Sequence, residues 1–266
     1  MFFLIAGVLV LAGYLVLFCR SIFILAYHGV GIGQTRIPGL LLEPQAFRKQ
    51  MRLLAALGFR NKSVDAIVDE IQKGKSSWWP TVSITFDDGY RNVRDNALPV
   101  LQRIGWAATI FVPTDYVGKT NEWDRLNDVP SLALLDWSDL ALLHETGISI
   151  GSHGKRHWSL VHLSKTEAAA ELRESLLALQ SQLAGGSRVF SYPFGQRHPE
   201  LSSLLQEAGY KGACSLVAGA LPDSSQLFDL GRLLVRSNNL FGFFFSLALY
   251  PIKSLARKLR LKLRGY

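Results

Sequence analysis

Two adjacent acids and a pair of histidines in this sequence could bind a metal ion. Asp87 and Asp88 end an apolar run in SITFDDGY (83–90), and His153 and His157 lie four residues apart in HGKRH. If the chain turns helical after the run that precedes His153, this spacing places both imidazoles on one face, about 5–6 Å apart at Cβ. Two imidazoles and one carboxylate form the ligand set of a catalytic zinc site, which keeps a position open for water. The residues therefore predict a metal centre built from one of the acids and both histidines.

Each of these motifs also has a purely structural explanation. Two acids and a glycine after a strand commonly form a solvated turn, because Asp tolerates the backbone conformations of tight turns and Gly adopts positive φ. A lone pair of histidines four residues apart is a weak signal, since structural and surface histidines are common. The occurrence of both motifs in one chain favours the metal centre.

Strands and helices alternate between residues 21 and 239, and they determine where these side chains lie. Apolar runs predict strands at 21–27, 81–86, 107–112, 148–153, 188–193, 211–217 and 233–237. Helical spacing and capping signals predict helices at 44–57, 94–104, 137–146, 164–183 and 199–208. This alternation is typical of an α/β fold in which helices surround a parallel sheet or barrel.

In such folds, reactive side chains gather at the C-terminal ends of the strands. The first predicted strand is followed by His28 and the second by Asp87 and Asp88. The fourth ends in His153, with His157 four residues later, and the fifth ends in YPFG (192–195). If these ends share one rim, we expect two acids and three histidines to meet there.

Three motifs, TFDDGY, SHGKRH and FSYPFG, resemble in order and separation those of the polysaccharide deacetylases of the NodB-homology type, the carbohydrate esterase family 4 type. The resemblance covers about residues 21–217 and implies a distorted (β/α) barrel. It also implies metal-dependent removal of N-acetyl groups from amino sugars, with an N-acetylated glycan as the substrate. The segment LAYHGV (25–30) resembles the branch of the family that acts on bacterial exopolysaccharide glucosamine polymers.

The first two motifs supply the metal and base residues that this resemblance implies. Asp88, His153 and His157 are the expected ligands of a divalent metal, for which Zn²⁺ is the first choice. Asp87 is the expected general base, which takes a proton from the attacking water.

The acid and the substrate contacts are implied by the remaining motifs. His28 is the expected general acid, because the branch with the N-terminal YH motif takes its acid histidine from the first strand. The third motif lines the site in the family, so Tyr192, Pro193 and Phe194 are expected to contact the substrate. The backbone N–H of Tyr192 is expected to help bind the oxyanion.

The sequence departs from the family pattern at three places. Gly154 follows the first metal histidine, where the family usually has Ser or Thr. Ser191 stands where many members carry an arginine that orients the base aspartate, and no Leu-x-His motif follows FSYPFG. These departures keep a second hypothesis open, in which the chain is a scaffold or binding subunit of a glycan-synthesis complex with little or no activity.

Both ends of the chain predict contact with a membrane. Residues 2–19 carry no charge and would extend about 27 Å as a helix, which predicts an anchor, although a buried apolar helix is the alternative. Residues 240–266 join an apolar stretch to bases without any acid, which is typical of a segment on an anionic bilayer. We therefore predict an anchor (1–19), a catalytic domain (20–239) and a membrane-associating tail (240–266).

Composition and charge limit the remaining classes. Two cysteines, Cys19 and Cys214, exclude a disulfide framework. The net charge of +8 is concentrated in the tail, and no nucleic-acid motif accompanies it, so we expect membrane lipid as a partner and no nucleic acid. We expect attachment to the inner, cytoplasmic membrane of a bacterium. Arg20 and Arg36 follow the predicted anchor and favour a cytoplasmic body, but two charges leave the other side open.

Overall fold

The computed structural model describes nearly the whole chain. The described residues are 2–33, 35–75, 77–127, 129–220 and 222–263. Within these ranges, the side-chain surroundings of residues 2–6, 126–127 and 261–263 are not described.

Ten strands and nine helices are found in the described residues. The strands are β1 Ile22–Tyr27, β2 Gly29–Val30, β3 Leu41–Leu42, β4 Arg60–Asn61, β5 Thr81–Phe86, β6 Ala108–Val112, β7 Ser149–Ser152, β8 Val189–Ser191, β9 Gly212–Ser215 and β10 Leu230–Leu234. The helices are α1 Phe2–Cys19, α2 Pro44–Ala56, α3 Val64–Gln72, α4 Arg91–Asn96, α5 Leu98–Arg103, α6 Trp137–Glu145, α7 Lys165–Gln182, α8 Leu201–Ala208 and α9 Leu240–Leu263.

Seven parallel strands close into a barrel. β1 pairs with β10 on one side and with β5 on the other, and β9, β8, β7 and β6 lie between them in that order. β4 extends the sheet beyond β5, and β2 and β3 form a separate two-stranded pair. The predicted α/β barrel with parallel strands is confirmed.

The strands alternate between the inside of the barrel and the surrounding helices. In β5, Val82, Ile84 and Phe86 pack outward into the main hydrophobic core, whereas Thr85 lies against the buried side chain of Arg232. This period of two follows from the pleat of a strand. Small polar side chains on the inner face leave room there for a charged group.

Helix α3 packs against inward-facing side chains at the amino end of the barrel. Its apolar face forms a buried cluster with one side chain from each of five strands: Val64, Ile67, Val68 and Ile71 of α3 with Ile24, Phe111, Val189, Cys214 and Leu230. The face recurs at intervals of three and four residues, as expected for an amphipathic helix.

Most predicted elements are present, and the differences have local causes. The single helix predicted at 94–104 is two short helices, α4 and α5, with Pro99 in the first turn of the second. Proline is favoured there because its missing N–H is not needed and its φ suits a helix start. The last strand begins at Leu230 instead of residue 233, so Arg232 belongs to it.

The terminal helices pack against each other beside the barrel. The Tyr14 hydroxyl of α1 donates a hydrogen bond to the Ala248 carbonyl of α9 (3.0 Å). In the described part of the chain, no helix combines the length and the apolar character that a membrane crossing requires. The predicted anchor includes residues 1–6, whose placement or side chains lie outside the described part, and it stays a prediction.

The predicted tail is a helix that contributes to the main core. Phe243, Leu247 and Tyr250 of α9 are buried in that core, and the Tyr250 hydroxyl donates to the Gly231 carbonyl (2.8 Å). Residues 264–266 of the predicted tail lie outside the described residues.

Candidate metal centre and active site

The carboxyl ends of the strands carry the predicted site residues to one rim. Tyr27 at the end of β1 is paired with Phe86 at the end of β5, so His28 and Asp87 stand at the same level. The Asp87 N–H continues this ladder by donating to the Tyr27 carbonyl (2.9 Å). In the same way, the His153 N–H donates to the carbonyl of the last residue of β6 (2.9 Å).

Three buried side chains that could ligate a metal ion converge at this rim. The Nε2 atoms of His153 and His157 lie 3.5 and 3.2 Å from Oδ1 of Asp88. One ligand atom from each of the three residues lies within 4.8 Å of the others. The structure therefore brings together the three residues that the sequence predicts as metal ligands.

The protonation and pairing of these groups fit a divalent cation. The Nδ1 atom of His153 lies 2.7 Å from the Ser191 carbonyl, so it carries the proton and leaves the Nε2 lone pair free. Burial lowers the pKa of His153 to about 4, which keeps its imidazole neutral at neutral pH. Burial raises the pKa of Asp88, but the neighbouring His157 outweighs this, and the pKa lies below its ordinary value.

One oxygen of Asp88 is buried without a hydrogen-bond donor among the described residues. Neither imidazole reaches this Oδ1 atom with hydrogen-bond geometry, although both Nε2 atoms face it. A buried acceptor without a partner costs about 1–3 kcal/mol. A cation held by the three donors would remove this cost.

The backbone is unusual at the same place. Among the described residues other than glycine, positive φ is found at Asp88 (70°), His157 (56°) and Phe194 (59°). Such conformations cost energy and tend to occur at functional sites, where the surrounding structure maintains them. All three belong to the motifs that the sequence singles out.

The two histidines are not on a helix. The prediction assumed a helix after the run that precedes His153, and this assumption is wrong. The residues from His153 to Ser159 form a loop, with φ of 83° at Gly154 and 56° at His157. These left-handed conformations interrupt any helix. The four-residue spacing still brings the rings together, with centroids 4.8 Å apart, because the loop folds back on itself.

A buried carboxylate in α7 holds this loop. Oε2 of Glu171 accepts the backbone N–H groups of Lys155 (3.0 Å) and Arg156 (2.9 Å), and the Arg156 side chain donates to its other oxygen. The loop is therefore fixed from α7, although Gly154 offers no hydroxyl where the family usually has one.

The base candidate Asp87 is held by an arginine that the sequence analysis did not identify. Both guanidinium NH groups of Arg232 donate to the two carboxylate oxygens of Asp87 at 2.7 Å, and Arg232 also donates to Ser191 Oγ (2.8 Å). Burial alone would raise the pKa of Asp87, but the Arg232 guanidinium holds it well below its ordinary value. The one signal in the sequence is an arginine within the apolar run LGRLL.

Arg232 reaches Asp87 beside the short side chain of Ser191. Ser191 stands where many family members have their orienting arginine, and its short side chain makes room for a guanidinium from β10. The Ser191 hydroxyl also donates to Asp87 Oδ1 (3.3 Å). An arginine can therefore orient the aspartate from another strand.

His28 faces the same site from the end of β1. Its Nδ1 atom is buried and has no hydrogen-bond partner in the part of the chain that the structure describes. After the effects of burial and of Arg232, His28 is one of the charges that lower the pKa of Asp87, and it acts on Asp88 as well. The His28 imidazole therefore lies close to both acids.

The third motif contributes a ring at the rim, but the predicted oxyanion donor is already paired. The Tyr192 N–H donates to the Cys214 carbonyl (3.1 Å), and its buried hydroxyl donates to the Phe228 carbonyl (2.9 Å). The sheet thus pairs the amide that the resemblance assigns to the oxyanion, and the role of this amide stays a prediction. Pro193 is buried at the start of a short 3₁₀ turn, and Phe194 exposes 56% of its surface.

Aromatic rings enclose the second histidine. The rings of Trp123 and Phe194 lie 4.5 and 4.8 Å from the His157 imidazole. Such contacts fix the ring plane of a metal ligand. They also place apolar surface beside the candidate metal position, where a sugar ring could stack.

Tyr90 and Asp124 form a buried pair behind Asp88. The Tyr90 hydroxyl donates to Oδ2 of Asp124 (3.4 Å), which also accepts from the Asn121 amide (3.3 Å). Burial raises the pKa of Tyr90, and the carboxylates of Asp88 and Asp124 raise it further. Asp124 looks like an ordinary surface acid in the sequence because nothing near it in the chain reveals its burial.

Comparisons with known proteins agree with the fold and identify the family. The family model for polysaccharide deacetylases matches residues 76–213. The poly-beta-1,6-N-acetyl-D-glucosamine N-deacetylase of Staphylococcus epidermidis is 26% identical over 220 residues, which cover 79% of this chain and 72% of that protein.

Two solved structures share the fold. IcaB from Ammonifex degensii has a TM-score of 0.74 at 21% identity and covers 87% of this chain and 97% of its own. The Streptococcus pyogenes deacetylase PplD in complex with acetate has a TM-score of 0.70 at 20% identity and covers 82% and 93%.

Proposed function

The chain belongs to the polysaccharide deacetylase family, and we propose that it hydrolyses N-acetyl groups of amino sugars in a glycan, using a divalent cation held by Asp88, His153 and His157. The observation that carries this proposal is the convergence of three buried donors beside an aspartate that an arginine keeps ionised. Zn²⁺ is the proposed metal, since two imidazoles and one carboxylate are a common catalytic zinc set.

The first half of the reaction needs a base. The metal, when bound, supplies a Lewis acid that polarises the acetyl carbonyl and lowers the pKa of water. Asp87 accepts one proton of the attacking water while the oxygen of that water bonds to the carbonyl carbon. Arg232 keeps Asp87 ionised and fixes its two oxygens, so that the carboxylate is ready to receive this proton.

The second half of the reaction needs an acid. The bond between the carbonyl carbon and the sugar nitrogen breaks, and the nitrogen takes a proton from His28. The products are acetate and a free amino sugar. Histidine suits this step because its ordinary pKa lies near neutral pH.

The aromatic rings at the rim suggest where the substrate binds. Phe194 and Trp123 flank the His157 ring, and we propose that a sugar ring packs on the exposed Phe194 while its acetamido group reaches the metal position. The named substrate of the Staphylococcus epidermidis relative supports a polymer of N-acetylglucosamine. A lipid-linked amino sugar at a membrane is the alternative substrate, and the apolar ends of the chain support it.

Attachment to the cytoplasmic membrane is part of the proposal. Its support is the uncharged segment 2–19 and the apolar and basic composition of the chain after Leu240. Membrane lipid is accordingly a proposed partner.

The scaffold hypothesis rested on the missing arginine and the missing late histidine. The contact of Arg232 with both oxygens of Asp87 supports the first role for Arg232, and the buried His28 Nδ1 without a partner in the described residues supports the second for His28. These two residues favour an enzyme over an inactive subunit.

Acetate release from polymeric and lipid-linked N-acetyl sugars tests the proposal, together with the metal content of each variant. We expect Asp87→Asn to keep its metal and to lose about 10²–10⁴-fold in turnover, as for a lost general base. Asp88→Asn should lose the metal as well, because it removes a ligand charge. Full metal occupancy in Asp88→Asn would contradict the ligand assignment. Native protein that holds metal but releases no acetate from any substrate would support the scaffold hypothesis.

A further inference from the structure

Helix α9 exposes a continuous apolar stripe on its outer surface. Apart from the adjacent Phe244 and Phe245, its exposed large side chains follow one another at spacings of three or four residues along the helix: Phe241, Phe244, Phe245, Leu249, Ile252, Leu255 and Leu259. Spacings of three and four place these side chains on one face of a helix. A stripe of this length on a water-exposed surface indicates a binding surface.

The packing of α9 fixes the stripe in its outward position. On the opposite face, Phe243, Leu247 and Tyr250 are buried in the main core. Further along, the Ala220 N–H donates to Ser254 Oγ (2.6 Å), and Arg257 donates to the Ala218 carbonyl (3.0 Å). The helix cannot turn its apolar stripe inward without breaking these contacts.

Helix α1 extends the same surface. It exposes six large apolar side chains, namely Val8, Leu9, Val10, Leu11, Leu15 and Val16. A groove of about 800 Å³ lies between the two helices, with Leu17, Ile252 and Leu255 in its wall and Arg20 and Lys75 at its edge. We call the exposed apolar side chains of both helices, with this groove, the α1–α9 face.

Most charges next to the α1–α9 face are basic, and the acid in the lining of the groove, Asp223, is paired with Lys258 (2.7 Å). Residues 240–263 contain no acid, and Lys253 and Arg260 are exposed beside the stripe. Helix α2, which packs against α9, contains no acid either and exposes Arg48, Lys49 and Arg52.

We propose that the α1–α9 face docks on an anionic lipid bilayer, with α9 lying in the headgroup region and its apolar stripe directed at the acyl chains. An apolar stripe flanked by bases is the pattern of a helix that lies in a membrane interface. A symmetric contact between two copies would bring the same stripes and the same bases together, so like charges would oppose it. This inference extends the membrane attachment proposed above, and it does not depend on the catalytic activity.

The docked domain would lie on its side. Helix α9 follows the carboxyl end of β10, which belongs to the rim of the site. Its Arg257 binds Asp229, the residue before β10 begins, and so lies at the opposite end of the barrel. The stripe therefore runs along the height of the barrel, and the mouth of the site opens at the level of the bilayer surface. If the proposed function is right, the glycan is deacetylated close to the membrane.

Fluorescence quenching by brominated lipids tests the docking. An environment-sensitive dye is attached to the cysteine of Phe245→Cys or of Ile252→Cys in the whole chain. The labelled protein is mixed with vesicles of phosphatidylcholine with or without phosphatidylglycerol. Matched controls carry the dye at Leu142→Cys or Leu177→Cys, two exposed leucines on α6 and α7. Cys19→Ser removes the half-buried thiol, and Cys214 stays unlabelled because burial raises its pKa to about 12.

We expect acyl-chain bromine to quench the dye at 245 and 252 and to leave it unquenched at 142 and 177. Lys253→Gln and Arg260→Gln should each lower the ratio of docked to undocked protein roughly fivefold in vesicles that contain phosphatidylglycerol. Equal quenching at all four positions would overturn the proposal. A second outcome would also overturn it. If the dye at 245 is shielded from water but not quenched by bromine, and the protein crosslinks as a dimer, then a second copy covers the stripe.

Discussion

Asp87 and Asp88 are adjacent in the sequence, yet their carboxylates have different partners. Oδ1 of Asp88 faces the two imidazole nitrogens, whereas both oxygens of Asp87 are bound by Arg232. The left-handed backbone at Asp88 turns its side chain away from the direction of its neighbour. One acid is therefore placed to bind a cation, and the other is placed to accept a proton.

Replacement of Arg232 should change the pH dependence of the reaction. Burial raises the pKa of Asp87 and Arg232 lowers it, so in Arg232→Met the pKa rises and the base is ionised only at higher pH. We expect the acid limb of the kcat profile to move to higher pH, with metal content unchanged and with partial recovery in Arg232→Lys. The Met variant also leaves a buried charge unpaired, which costs about 3–5 kcal/mol, so folding is checked by thermal unfolding. An unchanged acid limb would argue against this role of Arg232.

His28 can be tested with leaving groups that differ in their need for a proton. His28→Asn should lower the turnover of an N-acetyl sugar by about 10²–10⁴-fold, because the amine leaves unprotonated. It should slow the hydrolysis of an activated aryl acetate much less, since an aryl oxide leaves without protonation. Equal losses on both substrates, with the metal retained, would indicate a structural role for His28.

At the scale of elements, a loop and a helix together shape the metal centre. The loop after β7 has no regular structure, and α7 supplies the carboxylate of Glu171 that accepts two of its backbone N–H groups. The position of His157 therefore depends on a helix that begins eight residues after it.

Removal of the Glu171 carboxylate should weaken metal binding without removing a ligand. Glu171→Leu leaves the N–H groups of Lys155 and Arg156 unpaired, and we expect metal affinity to fall about 10–100-fold, as for other groups that orient ligands. The matched control is Glu174→Leu, which breaks only the exposed pair with Lys155 and should leave the affinity nearly unchanged. Metal titration of both variants measures the difference, and equal affinities would contradict the role of Glu171.

At the scale of the whole molecule, the two ends of the chain meet beside a closed barrel. Closure pairs β1 with β5 and β10, which brings the start and the end of the barrel sequence together. Helix α9 then covers this part of the barrel with its buried face and leaves an apolar face outside. One helix thus contributes to folding and supplies the proposed lipid contact.

Single truncations in α9 should separate these two roles. Leu247 is buried and Leu259 is 54% exposed. Leu247→Ala should lower the free energy of unfolding by about 2–5 kcal/mol, because it leaves a cavity in the core. Leu259→Ala should change it by less than about 0.5 kcal/mol. Urea denaturation measures both values, and equal stabilities would show that α9 is not part of the folded core.

The sequence alone determined an α/β fold with a parallel sheet or barrel and the residues at the strand ends, and its resemblance to a family selected the barrel. Alternating apolar segments fix strands and helices locally, and a parallel arrangement brings the carboxyl ends of the strands to one edge. One of the two acids, His153 and His157 could therefore be predicted together, and the resemblance to the family selected Asp88. The tertiary structure alone decided the partner of Asp87, because Arg232 is 145 residues away and only closure of the barrel brings it near. It also decided that the Tyr192 amide is used by the sheet and that α9 packs into the core, since pairing register and burial depend on contacts between distant segments.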